Sequence, residues 1–162
     1  MKEEVTELVP SLRKFAFSLT GNIHDADDLL QNTIEKLLTK PLPQDVTLMA
    51  WAFRVCRNLW IDEYRAQKVR ASAAVNPELQ AQDEAHLDEA LSGGITLKQV
   101  SKAMGELPPE QRETLSLIAI QGMSYSDASE VLEVPAGTIM SRLARARSKL
   151  SNMLNPQQEV VL

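Results

Sequence analysis

With 162 residues, 44% of them hydrophobic, the chain holds enough apolar material for one ordinary domain or two small ones, which excludes disorder throughout. Its 22 acidic residues outnumber 17 basic ones, and a net charge of -5 repels free DNA unless the positive charge is gathered in one place. Cys56 is the single cysteine and His24 and His86 are the only histidines, so an intrachain disulfide is excluded and no spacing resembles a metal site.

The start, Met1 to Glu7, is too charged for a signal peptide, and no apolar run approaches the roughly 18 residues of a membrane span. A cytoplasmic protein is expected. Strand-like alternation is absent, whereas apolar residues recur at spacings of three and four, so the fold is expected to be all-α.

The first stripe is Val5, Leu8, Val9, Leu12, Phe15, Ala16 and Leu19, closed by Thr20-Gly21-Asn22, where Gly21 can adopt the left-handed conformation that ends a helix. Ala26, Leu29, Leu30, Thr33, Ile34 and Leu37 mark a second helix. Asp25, Asp27 and Asp28 lie in its first turn, where the helix dipole favours carboxylates, and Pro41 and Pro43 stop it. A third helix resumes at Leu48, with Leu48, Trp51, Ala52, Val55 and Leu59 on its buried side and Phe53, Arg54, Arg57 and Asn58 turned away, and a break near Asn58 is compatible with the pattern. Cys56 reads as a buried structural thiol. From Trp51 to Arg70 there are 5 basic residues against 2 acidic.

Ala71 to Gly94 is polar and acidic and reads as a linker, holding Asn76-Pro77 and Gly93-Gly94. The second half opens near Ile95 with the stripe Leu97, Val100, Ala103, Met104 and Leu107. Pro109 suits the first turn of the next helix, Glu110 to Ile120. Ser124 and Asp127 form a capping arrangement for Tyr125 to Leu132. The last helix runs from about Ala136 to Asn152.

Together the last two helices form a helix-turn-helix whose second helix has 4 basic and no acidic residues between Met140 and Leu150. At 100° per residue, Ile139, Leu143, Ala146 and Leu150 form its buried stripe. The outward face presents Ser141, Ala144, Arg145 and Ser148, flanked by Met140 and Arg147 on one side and Arg142 and Lys149 on the other. Such a helix meets base edges with its N-terminal part and phosphates with its margins. Arg145 is the best base reader, because a guanidinium bonds guanine bidentately for about 1 to 3 kcal/mol of discrimination. A merely solvated face is the plainer alternative, but it would mix charge signs.

Both halves resemble one family, the bacterial extracytoplasmic-function (ECF, group 4) sigma factors of the sigma-70 class. Leu19-Thr20-Gly21-Asn22 followed by Asp25-Ala26-Asp27-Asp28-Leu29-Leu30-Gln31 is similar to the family's region 2.2, and Ala50-Trp51-Ala52-Phe53-Arg54-Val55-Cys56-Arg57-Asn58-Leu59-Trp60-Ile61-Asp62 to the segment that melts and reads the -10 element. Leu107 to Arg112 and Pro135 to Leu143 resemble region 4.2, which reads the -35 element. The Met-Ser-Arg-Leu and Ala-Asp-Asp-Leu runs look like the general-stress members of α-proteobacteria.

The resemblance implies residues 1–70 as a region 2-like unit, 71–94 as a flexible linker, 95–155 as a region 4-like unit and 156–162 as a tail with no inferred role. It implies a promoter-specificity factor without catalytic residues, metal or cofactor, whose partners are core RNA polymerase, through the β′ clamp helices and β flap, and promoter DNA. An anti-sigma factor is a further expected partner, and the free chain is expected to be a monomer. Asp28, Gln31 and Asn32 would contact the clamp helices, although Asp28 also suits simple dipole capping. Asn58 matches the position near a loop that captures a flipped base, and Arg54, Arg57 and Arg65 would hold phosphates. Trp51 would lie at the upstream edge of the melted region, while its phase with Leu48 and Val55 also suits core packing. Met140, Ser141, Arg142, Ala144, Arg145 and Lys149 would read the -35 element. The linker would pass through the RNA exit path, or serve only as a soluble spacer.

Two departures stand out. Glu133 occupies a turn position where the family often has Gly, and Met140 stands where many members carry Lys or Arg. The rival readings are a sigma-mimicking antagonist and a stand-alone helix-turn-helix regulator. The first usually loses the basic residues kept here, and the second leaves the basic segment around Asn58 without a purpose.

Overall fold

A computed structural model describes residues 2–73 and 96–154. The expected linker from 74 onward, Ile95 and the tail lie outside the described residues. Every regular element described is helical: α1 (Lys2–Thr20), α2 (Ile23–Thr39), α3 (Leu48–Ala73), α4 (Leu97–Gly105), α5 (Pro109–Leu115), a π-helical stretch (Ser116–Ile120), α6 (Tyr125–Leu132) and α7 (Ala136–Leu154).

Local chemistry sets most boundaries. Gly21 ends α1 at φ 69°, with its N–H donating to the Phe17 carbonyl at 2.8 Å, as its left-handed freedom suggests. Asn22 then caps α2, its Oδ1 accepting from the backbone N–H groups of His24 at 2.8 Å and Asp25 at 3.1 Å. Thr96 and Gln99 form a capping box on α4, and Ser124 Oγ accepts from the Asp127 N–H at 3.0 Å at the head of α6. Pro109 sits in the first turn of α5, where its missing N–H costs nothing. Glu133 ends α6 in the left-handed region, φ 56° and ψ 43°, a conformation that costs a residue with a Cβ about 1 to 2 kcal/mol.

Most expected stripes are buried: Val5, Leu12, Phe15, Ala16 and Leu19 of α1, Ala26, Leu29, Leu30, Thr33 and Leu37 of α2, and Ile139, Leu143 and Ala146 of α7. Several expectations fail. α3 runs unbroken through Asn58 to Ala73, so residues 71–73 belong to the helix and not to a linker. Phe53 is 2% exposed and packs edge-to-face on Phe15 at 5.2 Å between ring centroids, although the single-stripe pattern turns it outward. α3 meets α1, α2 and α6, so its buried arc is wider than one stripe. Leu97 opens the α4 stripe yet is 80% exposed. The helix expected from Glu110 to Ile120 widens into a π turn at Ser116, where the N–H of Gln121 reaches back five residues to the Ser116 carbonyl at 3.0 Å.

The largest difference is that the halves do not stand apart. Leu117, Ala128, Val131, Leu132 and Ile139 of the second half join the core built by α1, α2 and α3. A smaller cluster of Met104, Leu107, Leu115, Leu143 and Ala146 lies within the second half. Short helices of about 60 residues bury little apolar surface alone, and packing on a larger neighbour supplies the rest.

Phe53→Ala is expected to lower stability by about 3 to 5 kcal/mol in a urea titration. A change within about 0.5 kcal/mol would be the signature of an outward-facing side chain.

Candidate nucleic-acid interface and the seam between the halves

The α7 helix presents the face that its periodicity requires. Its start is a Pro135–Thr138 turn in which the N–H groups of Thr138 and Ile139 donate to the Pro135 carbonyl at 3.0 and 3.2 Å. Ile139, Leu143 and Ala146 anchor it, leaving Met140, Ser141, Ala144, Arg145, Arg147 and Lys149 exposed. Met140 is 50% exposed and sits in the first turn and a half, where a groove-binding helix meets bases. Arg142 departs from this set: it is half-buried and lies near Glu113, whose charge feels it.

On α3 the basic residues divide. Asn58, Arg65 and Lys68 are exposed, and the Asn58 Oδ1 accepts from the Arg57 Nη1 at 3.1 Å. Arg54 and Arg57 instead turn into the second half. Arg54 Nη2 donates to the Glu130 carbonyl at 2.7 Å and its Nη1 lies 3.5 Å from the Glu133 carboxylate. Arg57 Nε donates to Glu113 Oε1 at 2.8 Å. Trp51 is half-buried beside the core and its indole N–H is buried without a hydrogen-bond acceptor, which fits packing better than a free stacking surface.

Glu113 is fully buried, and only one of its oxygens is bonded. Loss of hydration raises its pKa above the usual carboxylate range, and the hydrogen bond and charge of Arg57, with the charge of Arg142, pull it back only in part. Next to it, Arg112 is 7% exposed and donates to the carbonyls of Leu19 at 2.9 Å, Gly105 at 2.8 Å and Leu107 at 3.0 Å. Its guanidinium also lies 5.4 Å from the Trp60 ring and 5.8 Å from the Tyr64 ring. Ser18 and Ser116 share a hydroxyl hydrogen bond, and Gln121 Nε2 donates to the Ser11 carbonyl at 3.2 Å. Sequence reasoning missed this seam, because its partners stand 56 and 93 residues apart and follow no period. The one available signal was an Arg-Glu pair next to Thr114 and Leu115 on one short helix.

Two clefts flank the seam. One holds Arg57, Arg65, Lys68 and Arg142 against Glu110. The other, about 700 Å³, places Asp28 and Asn32 of α2 beside Asp62, Glu63 and Arg112. Asp28, Gln31 and Asn32 are all exposed. Cys56 is buried, and burial pushes its thiol up to about 12, so it stays protonated and inert. Among the described residues no group of His, Cys, Asp and Glu is placed to hold a metal ion, and no helix is long and apolar enough to cross a membrane.

Two family models match the chain, Sigma-70 region 2 over residues 5–70 and Sigma-70, region 4 over residues 97–150. The chain is 37% identical over 161 residues to the ECF RNA polymerase sigma factor EcfG of Rhodopseudomonas palustris, covering 95% of this chain and 84% of the relative. Its structure is similar to that of the sigma factor RpoE in complex with the anti-sigma factor NepR from Bartonella quintana, with a TM-score of 0.71, 32% identity, and 97% and 98% of the two chains covered. It is also similar to CnrH in complex with the cytosolic domain of CnrY, with a TM-score of 0.68, 25% identity, and coverage of 96% and 88%.

Arg112→Met is expected to cost about 3 kcal/mol in chemical denaturation, because the buried carbonyls of Leu19 and Leu107 and the partly buried one of Gly105 lose their donor. Glu113 sets a pH dependence of the opposite sign to an ordinary ion-paired carboxylate. Its raised pKa means that the folded chain takes up the proton more readily, so this contribution favours folding at acid pH and is lost as pH rises through the raised value. Wild type is therefore expected to gain stability relative to Glu113→Gln as pH falls from neutrality towards the ordinary carboxylate range in urea titrations.

Proposed function

The chain belongs to the sigma-70 family as an ECF RNA polymerase sigma factor, and from that premise we propose how its surfaces divide the work of directing core RNA polymerase to promoters. The α7 face formed by Met140, Ser141, Arg142, Ala144, Arg145 and Lys149 reads the -35 element. Arg54, Arg57, Asn58 and Arg65 of α3 engage the -10 element as the strands separate, with Trp51 packed behind them at its upstream edge. Asp28, Gln31 and Asn32, exposed on α2, meet the β′ clamp helices, and the second half meets the β flap.

The observation that carries the -35 assignment is the carboxylate-free exposed face of α7, set on a buried apolar stripe in a chain of net charge -5. Arginine forks and a lysine on such a face suit phosphates and guanine edges, and nothing on the same helix neutralises them. The exposed amide of Asn58 offers a donor and an acceptor to an extruded base. The protein acts through binding and carries no chemistry of its own. It works where core polymerase and DNA are found, in the cytoplasm, and is a monomer when free. RpoE and CnrH have each been solved with an anti-sigma partner, NepR and CnrY respectively. We extend that mode of control to this chain.

Purified core polymerase, with and without the chain, on fragmented host DNA tests the function through sequencing of RNA 5′ ends. New starts sharing two upstream motifs are expected. Core binding without new starts would point to an antagonist, and no core binding to a stand-alone regulator. Arg145→Ala is expected to relax selectivity at one -35 base, whereas Arg142→Ala weakens all sequences and lowers the salt slope by about one. Equal effects of both on every promoter variant would contradict these roles.

A further inference from the structure

The first two turns of α7, the part of a reading helix that meets base edges, expose Ala136, Gly137, Met140, Ser141 and Ala144. Hydrogen-bonding side chains are scarce there. Ser141 carries the one polar side chain of the five, and its hydroxyl is turned back on the helix, donating to the Thr138 carbonyl at 3.2 Å. The Arg145 guanidinium comes one turn later. Before it, Met140 is the long side chain that projects, because its exposed neighbours are small and even a Cβ at Gly137 would meet nothing within 4 Å. Met140 is 50% exposed and belongs to neither apolar core, so packing within the chain does not account for it.

A thioether donates no hydrogen bond and accepts one only weakly. Met140 therefore cannot hold a phosphate as Arg147 or Lys149 can, nor pair with the donors and acceptors of a base edge. What it can do is cover an apolar group. The major-groove edges of the base pairs carry one such group, the C5-methyl of thymine. Ala144 lies four residues on, one turn along the same face, and its methyl forms a second wall beside the flexible Met140 side chain.

We propose that Met140, with Ala144, is a specificity-determining contact that selects thymine in the -35 element through its C5-methyl group. The proposal rests on the -35 role of α7 proposed above and deepens it. The helix reads by two chemistries, an apolar contact at its start for an A·T pair and the Arg145 fork further along for guanine. A Lys or Arg at the same position, which many family members carry, would instead favour an acceptor on the base edge.

Holoenzyme assembled from core polymerase and the full chain tests this on a promoter found by the RNA 5′-end sequencing. Each thymine of the -35 element, on either strand, is replaced singly by deoxyuridine, which keeps every donor and acceptor and removes only the methyl group. At one position the replacement is expected to weaken holoenzyme binding about fourfold, the worth of one apolar carbon taken out of water. Met140→Ala should bind the thymine duplex as weakly as wild type binds its uracil counterpart, and should no longer distinguish the two. Met140→Leu, which keeps a long apolar side chain, should still distinguish them.

Equal binding of wild type to every uracil duplex, a methyl effect undiminished in Met140→Ala, or a -35 element without an A·T pair would each overturn the proposal and leave the -35 role of α7 standing. If scrambling the whole upstream motif left wild-type binding unchanged, that role would fall and the proposal with it.

Discussion

Arg112 places a guanidinium where water does not compete for it, and the meeting of the two halves follows from what that cation requires. Leu19 lies at the end of α1, Gly105 at the end of α4 and Leu107 just beyond it, and all three carbonyls accept from Arg112. Carbonyls in the last turn of a helix have no partner within it and carry the negative end of its dipole, so a cation is the natural cap for two such ends at once. The faces of Trp60 and Tyr64 from α3 supply further electron density. One side chain on α5 thus touches α1, α3 and α4, and it fixes the position from which Glu113 reaches Arg57.

Much of this was legible in the sequence, for reasons that particular residues make plain. The stripes of α1, α2 and α7 are each buried along one side, so a single period describes them. Gly21, Ser124 and Pro109 act within a turn of their own position, and local chemistry suffices to read them, whereas Glu133 stands out only against the family's usual Gly. Phe53 was misread because α3 is covered on several sides, where a one-stripe rule undercounts the core. The π turn at Ser116 leaves no periodic trace, and the seam depends on pairings between residues far apart in the chain. The exposed face of α7 was therefore recoverable apart from Arg142 and Ser148, which are half-buried. On α3 the basic charge was visible, but not that Arg54 and Arg57 are already bonded within the chain.

The charge distribution gains its meaning from this packing. A chain that is acidic in sum and basic on two surfaces would bind nucleic acid through whichever surface is free. Here one basic surface is turned partly inward onto glutamates and a carbonyl, and the other is displayed. The buried carboxylate of Glu113 is costly in itself, since burial raises its pKa and leaves one oxygen unbonded. Such a group makes the seam a contact of modest net strength. The exposed Asp28 and Asn32 of α2 border that contact across the cleft that Arg112 lines.

The central claim is that Arg112 and the residues around it hold the two halves of the free chain together. Spin labels on cysteines replacing Lys36 of α2 and Asn152 of α7, both exposed, would report this by pulsed dipolar spectroscopy, with Cys56 too buried to be labelled. One narrow distance distribution is expected in the free chain, broadened by Arg112→Met. A broad distribution in the unaltered chain would contradict the claim.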